Sequence, residues 1–487
     1  MRGTGLNWKF IFRVTGFILV LESLFIFLSA AVSYSFRGPD LPALLLSAFI
    51  TLFCGLSLSL PFGFRKVNII GKREGYLSVA LSWIAFALFG SFPFFFSGEI
   101  PSFTNAFFES ASGITTTGAS ILTGIDSISG GLLFWRSILQ WLGGMGIIVF
   151  SLALLPLLGG GASQLFDAES TGLTHDKFRP RVTQMAKRLW AIYLFLTALL
   201  IVLLYLGPMN LYDAVCHSFT TISTGGFSTR QQSIAYWNSG YLETILMVFM
   251  ITGALNFSLL YFLINGSFRK FFKDEELRWF LLIILIAALI VGSDLVLHEN
   301  YGLLASFRSS LFQVISVITT TGFSTADFSL WGPFHLFIFL FLMVVCGCAG
   351  STSGGLKTIR AVVLAKNTVC EFKRLIHPRA IIPVRLNGFA LDFRTVQRLL
   401  AFAFLYIIII FAGWGILSLT GMPFDEALSA SVSALGNVGP GFGSISASGS
   451  YALIPGPAKW FLSFLMIAGR LEIFTILILF TPAFWKK

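Results

Sequence analysis

Long apolar runs alternate with short polar stretches along this chain, and the alternation keeps a fixed order. Two apolar segments open it, about Trp8–Ser35 and Leu41–Phe62. Each is long enough to cross a hydrocarbon layer of ~30 Å as a helix. From there the order is long apolar segment, short segment, hydroxyl- and glycine-rich loop, long apolar segment. It runs four times. Tyr76–Phe96, Pro101–Ile114 and Leu132–Leu158 form the first round, and Leu189–Leu206, Asn210–Thr221 and Tyr241–Ile264 the second. Trp279–Leu297, Ala305–Val317 and Phe334–Val345 form the third, and Leu399–Leu419, Asp425–Leu435 and Trp460–Phe480 the fourth. The pattern predicts ten spanning segments and four short segments that enter the membrane without crossing it.

The loops repeat as well as the helices. Ile114-Thr115-Thr116-Thr117-Gly118-Ala119-Ser120 is matched by Ile222-Ser223-Thr224-Gly225-Gly226-Phe227-Ser228 and Ile318-Thr319-Thr320-Thr321-Gly322-Phe323-Ser324. A looser copy is Leu435-Gly436-Asn437-Val438-Gly439-Pro440-Gly441. The loop glycines are 108, 96 and 117 residues apart, the signature of four related units. The short segments share a register. Thirteen residues before the glycine stand the polar Asn105, Asp213, Ser309 and Glu426, placed to cap a helix start. Twelve before it stand the small Ala106, Ala214, Ser310 and Ala427, and six before it the hydroxyl-bearing Ser112, Thr220, Ser316 and Ser433. The expected division is an N-terminal two-helix extension at 1–66, then units at 67–178, 179–273, 274–392 and 393–487, the third with an interrupted helix and a cytoplasmic linker. The fold class is thus all-α and polytopic, four pseudo-fourfold helix–pore-loop–helix units around one pore plus an N-terminal helix pair.

Composition agrees. Of 487 residues, 56% are hydrophobic and 11% charged, against roughly 25% charged in soluble domains. The net charge of +11 needs no nucleic acid, because its basic residues fall on one side of the membrane if every unit crosses, re-enters and crosses back. They include Arg65, Lys66, Lys72 and Arg73, then Arg179, Arg181, Lys187 and Arg188, then Arg269, Lys270, Lys273 and Arg278, the long run from Lys357 to Arg398, and Lys486 and Lys487. That side is the cytoplasm by the positive-inside rule, with both termini on it. The loops then face outward among Glu99, Asp126, Glu299, Asp327, Asp425 and Glu426, a field that attracts cations. The apolar run at Phe10–Val32 is too long for a cleaved signal and reads as a retained helix. The five cysteines are scattered, and Cys346-Gly347-Cys348 lacks zinc-ligand spacing.

Bare backbone is tolerated at membrane depth only inside protein or beside a wet cavity. Four such loops around one axis form a ring. Glycine permits φ > 0, which lets successive carbonyls face one way and replace the hydration shell of a monovalent cation. The ring residues are Thr115, Thr116, Thr117 and Gly118; Ser223, Thr224, Gly225 and Gly226; Thr319, Thr320, Thr321 and Gly322; and Gly436, Asn437, Val438 and Gly439. None is a carboxylate, which a Ca²⁺ site usually recruits. Beneath the third loop the apolar helix runs into Gly347, Gly350, Ser351, Thr352, Ser353, Gly354 and Gly355, then Lys357. Each glycine costs a helix about 1 kcal/mol, so an unwound, mobile segment is expected there. Arg470, central in the last apolar segment, costs about 2.5–3.5 kcal/mol to insert and is expected to face the cavity under the ring or to pair with Glu472 or a carbonyl.

With these motifs, and with Gln140-Trp141-Leu142-Gly143-Gly144-Met145-Gly146 and Gly469-Arg470-Leu471-Glu472-Ile473-Phe474, the chain resembles bacterial potassium-uptake subunits of the Trk/Ktr/HKT superfamily, TrkH branch. The resemblance implies K⁺ as the transported ion, no organic cofactor, the bacterial inner membrane, a homodimer, and a cytoplasmic TrkA-type nucleotide-binding regulator. It implies gating by residues 347–357 and Arg470. Glycine at all four loop positions favours K⁺ by the same analogy; Na⁺ or coupled K⁺/Na⁺ or K⁺/H⁺ transport is the alternative. A membrane enzyme would need convergent ligands or a nucleophile and base, and the five histidines are dispersed.

Overall fold

The structure, a computed structural model, describes residues 6–60, 71–158, 182–298 and 302–486, with backbone alone at 72, 147–158, 182–185 and 298. The expected unit boundaries at 66/67 and 178/179 lie outside the described residues, as do Arg65, Lys66, Arg179, Arg181, Glu299 and Lys487. The boundaries at 273/274 and 392/393 fall at helix joints: Asp274 follows the helix Phe268–Lys273, and Asp392 precedes Phe393–Leu419.

The protein is an all-α polytopic membrane protein. A two-residue hairpin, Arg385–Leu386 against Phe389–Ala390, is the strand pairing among the described residues. The N-terminal pair, Trp8–Ser35 and Leu41–Ser59, packs through facing glycines: a Cβ added to Gly16 would stand 2.7 Å from the Gly55 carbonyl, and one added to Gly55 would stand 2.9 Å from that of Gly16. Such backbone proximity is how helices associate where lipid removes the hydrophobic drive between them.

The four short helices are Phe103–Ile114, Leu211–Ile222, Leu303–Ile318 and Phe424–Gly436. Their carbonyl ends run into the four repeated loops. The small residues Ala106, Ala214, Ser310 and Ala427 are all buried against neighbouring helices, as are Ser112, Thr220, Ser316 and Ser433. The backbone carbonyl of each of the last four accepts the N–H at the position before the loop glycine: Thr117 to Ser112 at 2.9 Å, Gly225 to Thr220 at 2.8 Å, Thr321 to Ser316 at 2.9 Å and Val438 to Ser433 at 3.0 Å. The same bond in all four units terminates each helix and launches each loop.

Two expectations need correction. Asn105, Asp213 and Glu426 do not cap. They lie just inside their helices and hold outer segments instead: Asp213 binds Thr229 and Arg230, Glu426 binds Ser444, and Asn105 binds Lys459. Ser309 does not cap either; it stands inside Leu303–Ile318, whose cap position is Gly302. Nor are the ten crossings ten continuous helices, with one broken in unit three. Six helices are long and apolar enough to span, and two bent pairs raise the number to eight among the described residues. The remaining two candidates are Gly130–Leu158, kinked at Gly146 (φ 53°, ψ −155°), and the 13-residue Pro333–Val345. In unit two, Gly240–Ala254 and Phe257–Ile264 meet at 112°; in unit four, Gly456–Arg470 and Ile473–Phe480 meet at 114°. The second spanning helix of every unit is therefore interrupted. The breaks satisfy one another's backbone, as membrane depth requires. Cys348 N–H donates to Ala254 O (2.9 Å), Thr352 N–H to Gly253 O (3.3 Å) and Phe257 N–H to Gly350 O (3.1 Å).

Candidate functional site: a ring of loops over an interrupted helix

All four loop glycines have positive φ: 83° at Gly118, 76° at Gly226, 77° at Gly322 and 102° at Gly439. Two residues before each, Thr116, Thr224, Thr320 and Asn437 are also left-handed, at 53°, 53°, 60° and 54°. A left-handed β-branched residue is a genuine outlier, and such strain persists where its surroundings over-determine it. Residues of positive φ thus alternate with residues whose φ is not positive along each loop. The sequence reading expected positive φ at the glycines; it named the threonines as ring residues but did not expect their left-handed conformation, against which their intrinsic preference argues.

The loops close head to tail. A Cβ added to Gly118 would collide with the Gly225 carbonyl, one on Gly226 with that of Thr321, one on Gly439 with that of Thr117, and one on Gly322 would stand 2.6 Å from that of Val438. Each loop glycine thus lies on the carbonyl just before the next loop's glycine, through units one, two, three, four and back to one. Side chains lock the ring from outside. Asn437 Nδ2 donates to Thr117 Oγ1 (3.0 Å) and Met466 O (2.9 Å), which gives the divergent fourth loop a link to the first. Thr115 pairs with Thr117 (2.7 Å) and Thr319 with Thr321 (2.8 Å) through their hydroxyls.

A further register was legible but unread. Nine residues before the glycine stand Glu109, His217 and Gln313, with Ala430 in the fourth unit. All three polar side chains are buried and hold the segment beyond the loop. Glu109 accepts Ile121 N–H (2.9 Å) and the Ser120 hydroxyl (3.0 Å), His217 bonds Ser228 Oγ (3.0 Å), and Gln313 Nε2 donates to Ala326 O (2.9 Å). Glu109 also pairs with buried Arg136 (2.7 Å), which donates to Ser228 O (3.0 Å) and covers the Phe227 ring. Unit one thereby supports the loop of unit two.

Under the ring lies the interrupted stretch of unit three, between Val345 and Thr358. Cys346 and Lys357 bound it at φ 56° and 75°, and Gly350 and Gly355 within it are at 69° and 75°. Thr352 is buried, and its hydroxyl lies 3.2 Å from Thr224 Oγ1, 3.1 Å from Ile222 O and 3.0 Å from Gly253 O. Gly354 N–H donates to Thr320 Oγ1 (3.2 Å), and a Cβ on Gly354 would collide with Gly436 O. The segment therefore touches the base of loops two, three and four. Ser351 and Ser353 pair at 2.8 Å, and buried Lys357 donates to Ser353 O. Arg470 completes the circuit: Nη1 donates to Thr352 O (2.5 Å), and Nη2 to Gly143 O (2.5 Å) and Gly144 O (3.0 Å). Glu472 is engaged elsewhere, with Arg360 at 2.8 and 2.9 Å. Buried Glu276 fastens both ends of the segment, accepting Ala349 N–H (2.7 Å) and Ile359 N–H (3.2 Å).

A ring of backbone inside a pseudo-fourfold bundle of spanning helices is the architecture of a membrane cation transporter. Residues 46–487 match the family TrkH, described as a cation transport protein. Over 487 residues the chain is 38% identical to the Trk system potassium uptake protein TrkH of Salmonella typhimurium, covering 99% of this chain and all of that one. It is 36% identical to the TrkG protein of Escherichia coli K12, covering 98% of each. The crystal structure of the potassium transporter TrkH from Vibrio parahaemolyticus superposes with a TM-score of 0.89 at 38% identity, over 99% of this chain and all of that one. The chain belongs to the TrkH family, a family of transporters and not of enzymes.

Proposed function

We propose that the chain takes up K⁺ across the bacterial inner membrane, through one pore whose selectivity resides in the backbone carbonyls of the four loops. The head-to-tail closure of the loops at Gly118, Gly226, Gly322 and Gly439 carries this reading. Carbonyl dipoles in fixed array replace the hydration of a weakly hydrated monovalent cation, and the four half-helices aim partial negative charge at the same axis. The relatives named as Trk system potassium uptake proteins support K⁺ as the ion. The segment Gly347–Lys357 is the gate. Its tip fills the space beneath the ring, Arg470 tethers it, and its far end continues into the basic helix Thr358–Ile376, where a cytoplasmic TrkA-type nucleotide-binding partner can pull on it. Two copies of the chain form a homodimer with one pore each, both termini cytoplasmic. The four pseudo-repeats begin near residues 67, 179, 274 and 393. The test is the reversal potential of purified protein in liposomes under separate K⁺, Na⁺ and H⁺ gradients. A potential that follows K⁺ alone supports the reading; one that follows H⁺ or Na⁺ in fixed ratio with K⁺ means coupled transport.

A further inference from the structure

At the position before the loop glycine, three loops carry a β-branched residue, Thr117, Thr321 and Val438; the second carries Gly225. Its φ is not positive, so the backbone does not demand glycine there. What a side chain would meet is Gln140: a Cβ on Gly225 would fall on the Gln140 carboxamide, 2.5 Å from Oε1 and 2.9 Å from Cγ. Gln140 is fully buried and comes from the second spanning helix of unit one. Its Nε2 donates to Gly225 O (2.6 Å) and its Oε1 accepts Phe227 N–H (3.0 Å). The two bonds need opposite ends of the amide and fix its orientation. Loops one and three brace themselves with Thr–Thr hydroxyl pairs. Loop two has none, and Ser223 Oγ turns back to Thr220 O (3.3 Å).

We infer that Gln140 is a specificity-determining positioning residue, an imported side chain that braces loop two where Gly225 offers none. It rests on the reading of the loops as a selectivity ring. The oxygen that Gln140 holds is the one on which Gly118 lies, so its position sets the gap between loops one and two. A carbonyl oxygen has two lone pairs, so holding it from outside leaves one for the axis. Gln140 and Arg136 are one turn apart on the same helix, and Arg136 grips Ser228 O just beyond.

The test is the K⁺/Na⁺ permeability ratio in proteoliposomes for four variants, with thermal melting to confirm folding. Gln140→Ala lowers the ratio about fivefold, the usual worth of a hydrogen bond. Gln140→Met keeps about the same volume, lacks both donor and acceptor, and lowers it similarly. Gly225→Thr alone collides with Gln140 and is worse than wild type. The double variant Gln140→Ala/Gly225→Thr has room for the new hydroxyl to pair with Ser223, and recovers most of the ratio. Folded Gln140 variants with an unchanged ratio, or a double variant no better than the poorer single one, overturn the inference. Gly118→Ser serves as the control. If it erodes the ratio while the Gln140 variants do not, the inference fails and the selectivity ring stands; if it too leaves the ratio unchanged, the ring reading itself fails.

Discussion

Arg470→Ala should raise K⁺ flux and leave the fold intact. The guanidinium makes three bonds to carbonyls, to Thr352 on the interrupting segment and to Gly143 and Gly144 on unit one. Hydrogen bonds to a charged group contribute about 1.5–3 kcal/mol each, and of these three the bond to Thr352 is the one that holds the segment. Its loss shifts the closed-to-open ratio by about 10- to 150-fold, since about 1.4 kcal/mol is tenfold. A second effect has the same sign. A fixed positive charge about 10 Å from a passing K⁺ repels it by ~0.4–1.7 kcal/mol for ε between ~80 and ~20. Flux rises until the open state saturates, so the gain is largest without the cytoplasmic partner. ⁸⁶Rb⁺ uptake into liposomes, with melting temperature in parallel, reads both quantities. Arg470→Gln keeps a neutral donor and should fall between wild type and Arg470→Ala. A folded Arg470→Ala protein with wild-type uptake would refute the tether.

Deleting Gly350–Gly355 removes the tip beneath the ring, so uptake should rise and lose its dependence on partner and nucleotide; a folded deletion with the wild-type rate and full dependence places the gate elsewhere. Glu276→Gln keeps one acceptor for Ala349 and Ile359 but loses the charge, and should raise basal ⁸⁶Rb⁺ uptake a fewfold with selectivity unchanged. Asp327, outside the spanning helices, has its pKa lowered: burial raises it, and bonds from Ser448, Ser446 and Ser329 outweigh burial. A depressed carboxylate contributes stability above its unfolded pKa and loses it as pH falls through the folded value. Thermal melts of Asp327→Asn against wild type should therefore differ at neutral pH and converge in acid.

Much of this was legible in the sequence because the repeat is strict where backbone geometry is strict. The loop glycines are glycines since φ is positive and the next loop's carbonyl lies against them. The small and hydroxyl positions twelve and six residues earlier mark the buried face and the end of each half-helix. The break in unit three announced itself through clustered glycines. That of unit one lies in Gly143-Gly144-Met145-Gly146, whose clustered glycines carry the same signal, but the sequence reading did not apply it there. That of unit two rests on Asn256, whose side chain caps the restarting helix at Ser258 N–H (2.8 Å), a cap signal that the surrounding apolar run masked; that of unit four rests on a left-handed Glu472, a conformation its residue type does not favour. The strain at Thr116, Thr224 and Thr320 was hidden for a related reason: tertiary contacts impose it against local preference. Asn105, Asp213 and Glu426 sat where caps sit, yet hold outer segments 16 or more residues away, which spacing alone does not reveal.

The central claim is that ion choice is made by a ring of backbone carbonyls whose spacing the loop glycines set. The most direct measurement is the bi-ionic K⁺/Na⁺ reversal potential of Gly118→Ser beside wild type. At Gly118 a side chain is left-handed, at about 1–2 kcal/mol, and collides with the Gly225 carbonyl. The account predicts a folded, conducting protein whose K⁺/Na⁺ ratio falls about fivefold or more. A folded Gly118→Ser protein with the wild-type reversal potential would contradict it.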